Sequence, residues 1–143
     1  MPLDDAEQTR RRQAMRAVMV GTPYIDGLGV VAERWEPDGV RLRIPFDKRL
    51  TNDGEVYHGG AVASLVDTAG AAAVWAGHDF DNGARAATIS ITVNYTGAAR
   101  RADLVAEATC VRRGRELSFA EIRVSDPDGK LVATGTLVYR IVP

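Results

Sequence analysis

Between Asn52 and Gly77 the chain passes from polar turn residues into a long run of small and apolar ones. Val62, Leu65, Val66, Ala69, Ala72, Ala73 and Ala76 recur at helical spacing, which predicts a helix from His58 to Ala76 with Gly77 as its stop. The run is apolar nearly all round, so the helix is expected inside the protein. It carries a single carboxylate, Asp67. Desolvating a charge without a partner is costly, and Asp67 is therefore the first residue to explain.

On either side the pattern changes period. Residues 4–20 read as an N-terminal helix, capped by Asp4 or Asp5, with Arg10–Arg12 on a solvated face and Met15, Val18 and Met19 as a modest apolar stripe. Gly21-Thr22-Pro23 ends it. Residues 28–35 and 39–45 read as two strands about the turn Glu36-Pro37-Asp38-Gly39. In the second, Val40, Leu42 and Ile44 alternate with Arg41 and Arg43, so one face is expected to be wet. A long connection over 46–57 leads into the apolar helix. After it, residues 78–83 form a loop, in which His78 is explained by the helix dipole. Four strands follow over 86–96, 104–112, 116–125 and 131–142, the last three separated by tight turns that make them antiparallel neighbours.

Helix, two strands, apolar helix, four strands: this order defines an α+β protein whose antiparallel β-sheet wraps around a long central helix. One domain spans 1–143, with 1–27 as an N-terminal helical extension. A sheet leaves part of the helix open, so a second subunit is expected to cover it, and the alanines and glycines of the helix would allow close approach.

Composition narrows the chemistry. With a formal net charge of −1, the chain lacks the basic footprint of a nucleic-acid binder. One cysteine and two histidines supply neither an internal disulfide nor a metal-ligand cluster. Cys110 is expected to be a small buried residue. No signal peptide or membrane span is read, and a cytoplasmic location is expected.

The start of the central helix offers unpaired N–H groups, and glycines at 59 and 60 let a carbonyl approach them. Such donors stabilise the oxyanion of acyl transfer, and a facing carboxylate can attack the carbonyl or deprotonate water. At about 1.5 Å per residue, His58 and Asp67 lie some 13 Å apart along the axis and on opposite sides. If both ends act, a two-fold dimer with antiparallel helices must bring Asp67 of one subunit to Gly59 of the other. Taken alone, Asp67 is equally explained as a buried carboxylate accepting hydrogen bonds, His58 as a cap and Asn52 as a turn former. Trp35, Trp75 and Tyr57 are read as core packing.

Asn52, His58-Gly59-Gly60 and Asp67, with an Asn-to-His spacing of six and a His-to-Asp spacing of nine, resemble the hotdog-fold acyl-CoA thioesterases of the PaaI-like subgroup. The likeness extends over nearly the whole chain. It implies a hydrolase of small aromatic or medium-chain acyl-CoA, with Asp67 as nucleophile or general base and the Gly59 N–H polarising the thioester carbonyl. It further implies that Asn52 holds the carbonyl or the attacking water, His58 shapes the turn, and Thr88 assists the water. The substrate would touch Gly60, and the phosphates of coenzyme A would lie near Arg100 and Arg101, or near the cluster Arg112, Arg113 and Arg115. No cofactor, metal, nucleic acid or membrane is implied; the partners are acyl-CoA and further copies of the chain, as a dimer and then a tetramer. The alternatives are a non-catalytic acyl-thioester binding module and an enoyl-thioester hydratase, the latter lacking its His/Asp dyad here.

Overall fold

Asp4 accepts a hydrogen bond from the Glu7 N–H at 2.8 Å and so starts helix α1 (Asp5–Gly21). In the computed structural model, which describes residues 1–143, a short helix α2 (Pro23–Leu28) follows, with Pro23 in its first turn and Gly29 closing it at φ +72°. This corrects the sequence expectation, which began the first strand at Leu28; strand β1 runs over Val31–Glu36. Leu28 and Val30 are buried, and their apolar character mimics a strand start. The remaining elements are β2 (Gly39–Ile44), helix α3 (Gly59–Ala76), β3 (Arg85–Tyr95), β4 (Leu104–Arg113), β5 (Leu117–Ser125) and β6 (Leu131–Val142), all within a residue or so of expectation.

The six strands form one antiparallel sheet in the order β1-β2-β4-β5-β6-β3, and α3 lies across its inner face. This is the hotdog arrangement. The expected alternation in β2 holds: Val40, Leu42 and Ile44 are fully buried, while Arg41 and Arg43 reach out to Glu33, Glu107 and Asp103. Two glycines let helix and sheet touch. A Cβ at Gly135 would come within 2.5 Å of Val66 Cγ1, and one at Gly70 within 3.0 Å of Leu137 Cβ. The first distance is shorter than a side chain tolerates and the second is tight, so the helix rests directly on the strands. Trp35, Trp75 and Tyr57 are all buried, as expected of core residues. Cys110 is only half-buried, and burial pushes its thiol pKa up.

Thirteen of the eighteen α3 residues are buried within the single chain. The cover that the sequence reading assigned to a second subunit is supplied in part by α1, which docks along α3. Arg12 Nε donates to the His78 carbonyl at 2.8 Å, and Trp35 Nε1 donates to the Arg12 carbonyl at 2.9 Å. The Gln8 amide binds Asp79 and the Phe80 N–H. His78 is a second correction: it is no dipole-stabilised cation. The ring is buried, Nε2 donates to the Gly83 carbonyl at 2.7 Å, and burial lowers its pKa. At the end of α3 the dipole and the last carbonyls are met instead by Arg113, which donates to the Val74 carbonyl at 2.9 Å and pairs with Asp38.

What remains open is the edge of the sheet. β3 pairs with β6 alone, and its other side is free. Tyr95, Val93 and Ile91 stand opposite Ala133, Gly135 and Leu137 of β6 and share their inner-face orientation, yet Tyr95 is 55% and Ile91 39% exposed. Inner-face apolar residues left this exposed at an open strand edge are the feature that needs explaining.

Candidate active site

The approach to α3 is a loop built to end at a fixed point. Lys48–Leu50 forms a turn of 3-10 helix, Thr51 and Tyr57 bridge across the loop, and the His58 N–H donates to the Leu50 carbonyl at 2.9 Å. Asp53 accepts from the N–H groups of Glu55 and Val56, and Gly54 turns the chain at φ +91°. His58 then takes an extended conformation and caps α3: its Nδ1 accepts the Gly60 N–H at 2.7 Å. The glycines are thus the first residues of the helix rather than a separate turn.

The fate of the first four N–H groups decides what the helix end can do. Gly60 is held by the His58 ring, and Ala61 and Val62 donate to the His58 carbonyl. The Gly59 N–H has no acceptor in the chain. Of the predicted substrate contacts at this point, Gly60 is engaged and Gly59 is available. A Cβ at Gly60 would stand 2.9 Å from His58 Nδ1, so a larger residue would push against the cap. Asn52 lies exposed in the same loop, its backbone N–H bonded to the Val56 carbonyl and its side chain unpaired.

Asp67 lies half-buried two turns further along α3, and the strand after the helix reaches it. Thr88 Oγ1 donates to Asp67 Oδ1 at 2.7 Å, while Oδ2 has no donor in the chain. The structure thus joins Thr88 to Asp67 and keeps both away from Gly59: eight residues of helix separate the two ends, about 12 Å of axial rise. Tyr139 stands opposite Thr88 across the β3–β6 ladder, and its hydroxyl accepts the Trp75 indole N–H at 3.1 Å. Burial raises the pKa of that hydroxyl, and the Asp67 charge adds to the shift.

Arg100 and Arg101 sit beside the Asn52–Tyr57 loop, Arg100 bridged to Val56 and the Arg101 N–H bonded to the Glu55 carbonyl. Both pair with the one carboxylate of Glu55, Arg101 at 2.6 Å, and both remain largely exposed. Arg101 takes a left-handed backbone, φ +45°. Arg113, the member of the alternative cluster that is best placed to be judged, is committed to Asp38 and to the end of α3.

One participant escaped the sequence reading. Tyr95, at the far end of β3, donates its hydroxyl proton to the Gly59 carbonyl at 2.8 Å. It stands opposite Ala133 of β6, and no spacing rule links it to a residue 36 positions away. Between α3 and the β3–β4 link, beside Gly59 and Tyr95, lies an open cleft of about 470 Å³ lined mainly by apolar residues, among them Val56, Val62, Ala99 and Val132.

A family model described as the thioesterase superfamily matches residues 54–133, which include His58, Gly59, Asp67 and Thr88 and begin just after Asn52. The chain belongs to the thioesterase superfamily. A Halobacterium salinarum protein that bears the provisional name of an esterase is 43% identical over 104 residues, covering 70% of this chain and 68% of its own. The Escherichia coli PaaI protein from the phenylacetic acid degradation operon superposes with a TM-score of 0.82 at 18% identity, over 95% of this chain and 96% of that one. A hypothetical thioesterase of Streptococcus pneumoniae, solved with coenzyme A, superposes with a TM-score of 0.71 at 19% identity, over 79% and 85%.

Proposed function

We propose that the protein is an acyl-CoA thioesterase that hydrolyses a small aromatic or medium-chain acyl thioester at sites shared by two protomers. The observation that carries this reading is the pair of unspent groups on α3, a backbone donor at Gly59 and a carboxylate oxygen on Asp67, set too far apart to serve one carbonyl within one chain. Pairing two β3 edges antiparallel about a two-fold axis would bring the Thr88 end of one strand to the Tyr95 end of the other. Asp67 would then face Gly59 of the partner subunit. The exposed inner-face Ile91 and Tyr95 support that pairing, since it would cover them.

In such a site the Gly59 N–H receives the thioester oxygen as it gains negative charge. Thr88 holds one oxygen of Asp67, leaving the other to take a proton from water or to attack the carbonyl itself. In the water route the hydroxide adds to the carbonyl carbon, the C–S bond breaks, and the proton on Asp67 passes to the departing thiolate. Asn52 and His58 serve as supports, one beside the carbonyl or water and the other as the cap that frees Gly59. The thiol carrier is read as coenzyme A, in line with the Streptococcus pneumoniae neighbour, and Arg100 and Arg101 are exposed cations beside the loop that leads to Gly59.

A hydrolysis screen over phenylacetyl-, hydroxybenzoyl- and straight-chain acyl-CoA tests the reading. Asp67→Asn is expected to lower kcat by roughly 10²–10⁴-fold, the range for losing a positioned base, with melting temperature and elution volume unchanged. Full activity in that variant would overturn it. In a single turnover in H₂¹⁸O, label in the Asp67 carboxylate would establish direct attack, with water opening the mixed anhydride at the Asp67 carbon.

A further inference from the structure

Helix α2 packs Ile25 and Leu28 against the core and leaves Tyr24 standing clear of it, 66% exposed. A ring so exposed gains little from burial, yet its hydroxyl lies 2.8 Å from Ser64 Oγ on α3. The direction of that bond follows from its neighbour. Ser64 spends its one hydroxyl proton on the Gly60 carbonyl at 2.8 Å, so Tyr24 is the donor. The ring is tethered by its tip to one place on α3.

That place borders Asp67. Residues three apart on a helix are neighbours, with Cβ atoms about 5–6 Å apart, so Tyr24 ends one turn from the carboxylate. The residues of α3 that are not buried are Gly59, Gly60, Ala63, Ser64 and Asp67. At 3.6 residues per turn they fall within an arc of about 140°. β3 flanks one side of this face, through Tyr95 on the Gly59 carbonyl and Thr88 on Asp67. α2 flanks the other, through Tyr24. Beyond Asp67 every residue from Thr68 to Ala76 is buried. In the proposed dimer the thiol carrier runs toward the other copy, whose Gly59 end has Arg100 and Arg101 beside it. The acyl group must take the other direction, and the only open ground next to Asp67 on this helix lies over Ala63 and Ser64. There the floor is a methyl group and the wall is Tyr24.

We propose that Tyr24 is a specificity-determining residue, whose ring walls the acyl group and favours acyl groups large enough to reach it. The inference rests on the thioesterase reading above and adds to it the part of the chain that reads the acyl group.

The ratio of kcat/KM between the best substrate of the acyl-CoA screen and acetyl-CoA, which has a single methyl beyond its carbonyl, tests this. Tyr24→Ala is expected to lower that ratio about ten-fold, the low end of what one apolar contact discriminates. The change should lie in KM for the larger substrate, as for a contact made equally before and during the reaction, with melting temperature and elution volume unchanged. Tyr24→Leu, apolar but without a flat face, should fall between the two proteins. A ratio within two-fold of wild type in both variants, whether or not the absolute rates change, would overturn the role of Tyr24 and leave the thioesterase reading standing. So would a ratio that falls only in a variant that has lost stability or assembly, or a wild-type protein that cleaves acetyl-CoA as well as any larger thioester. A wild-type protein inactive on every thioester in the screen would overturn both.

Discussion

A hydroxyl 2.7 Å from one carboxylate oxygen does more than satisfy it: it chooses which oxygen remains for chemistry. Thr88 is half-buried on β3 and has Asp67 as its partner, so Thr88→Val keeps the shape and removes the bond. Activity is expected to fall about ten-fold, from the loss of an orienting bond to a charged group, with little change in melting temperature; steady-state kinetics beside a thermal scan check it. Asp67 and Gly59 were legible in the sequence because each breaks its surroundings, an acid in an apolar run and glycines at a helix start. Thr88 was placed through family likeness as an aid to the attacking water; its bond to Asp67 is a feature of the structure that the likeness did not give. Tyr95 was not legible: its reach to Gly59 depends on how β3 lies against α3, which no local pattern carries.

Among the elements, hydrophobic periodicity gave α3 and the strands because burial on one face or all round writes itself into spacing. It failed at α2, where Pro23 starts a short helix and the apolar Leu28 just before Gly29 looks like the opening of a strand. The segment after α3 is the expected loop, but the helix dipole does not explain His78. His78 anchors that segment to Gly83 from a buried site, with Arg12 and Arg113 nearby, so its folded pKa lies below the ordinary 6.5. The sign follows: the folded state binds fewer protons than the unfolded one, so stability is whole above about pH 6.5 and declines as the pH falls below it. Urea midpoints are expected to drop between pH 7 and pH 5, and His78→Gln, which retains a donor but cannot take up a proton, should flatten that slope. An equal slope in both proteins would remove His78 as its source.

At the scale of the whole molecule, the open edge of β3 is the dominant feature. An unprotected edge with exposed apolar side chains invites another strand, and charge is the usual deterrent. Ile91→Arg puts such a charge near the middle of the strand, where the proposed two-fold would bring two copies close together. Size-exclusion chromatography with light scattering is expected to show a monomer, folded by circular dichroism and at least 10²-fold less active, because neither half of the site is complete alone. An active monomer would place the whole site within one chain. The sequence reading reached the need for a second copy by a different route, from the uncovered sides of α3. Part of that cover comes from α1, and it is the strand edge that calls for a second copy.

The two glycines at the helix–sheet contact carry a consequence for how such a protein can change its diet. With Val66 seated over Gly135 and Leu137 against Gly70, the rod lies flush on its cradle, and these contacts leave no slack between them to lend a guest. Lodging for a bulkier or slimmer acyl tail would come from the seam between copies, where one apolar side chain can replace another at Ile91 without closing the strand edge. Variation that retunes selectivity should therefore gather along that seam and spare positions 66, 70 and 135.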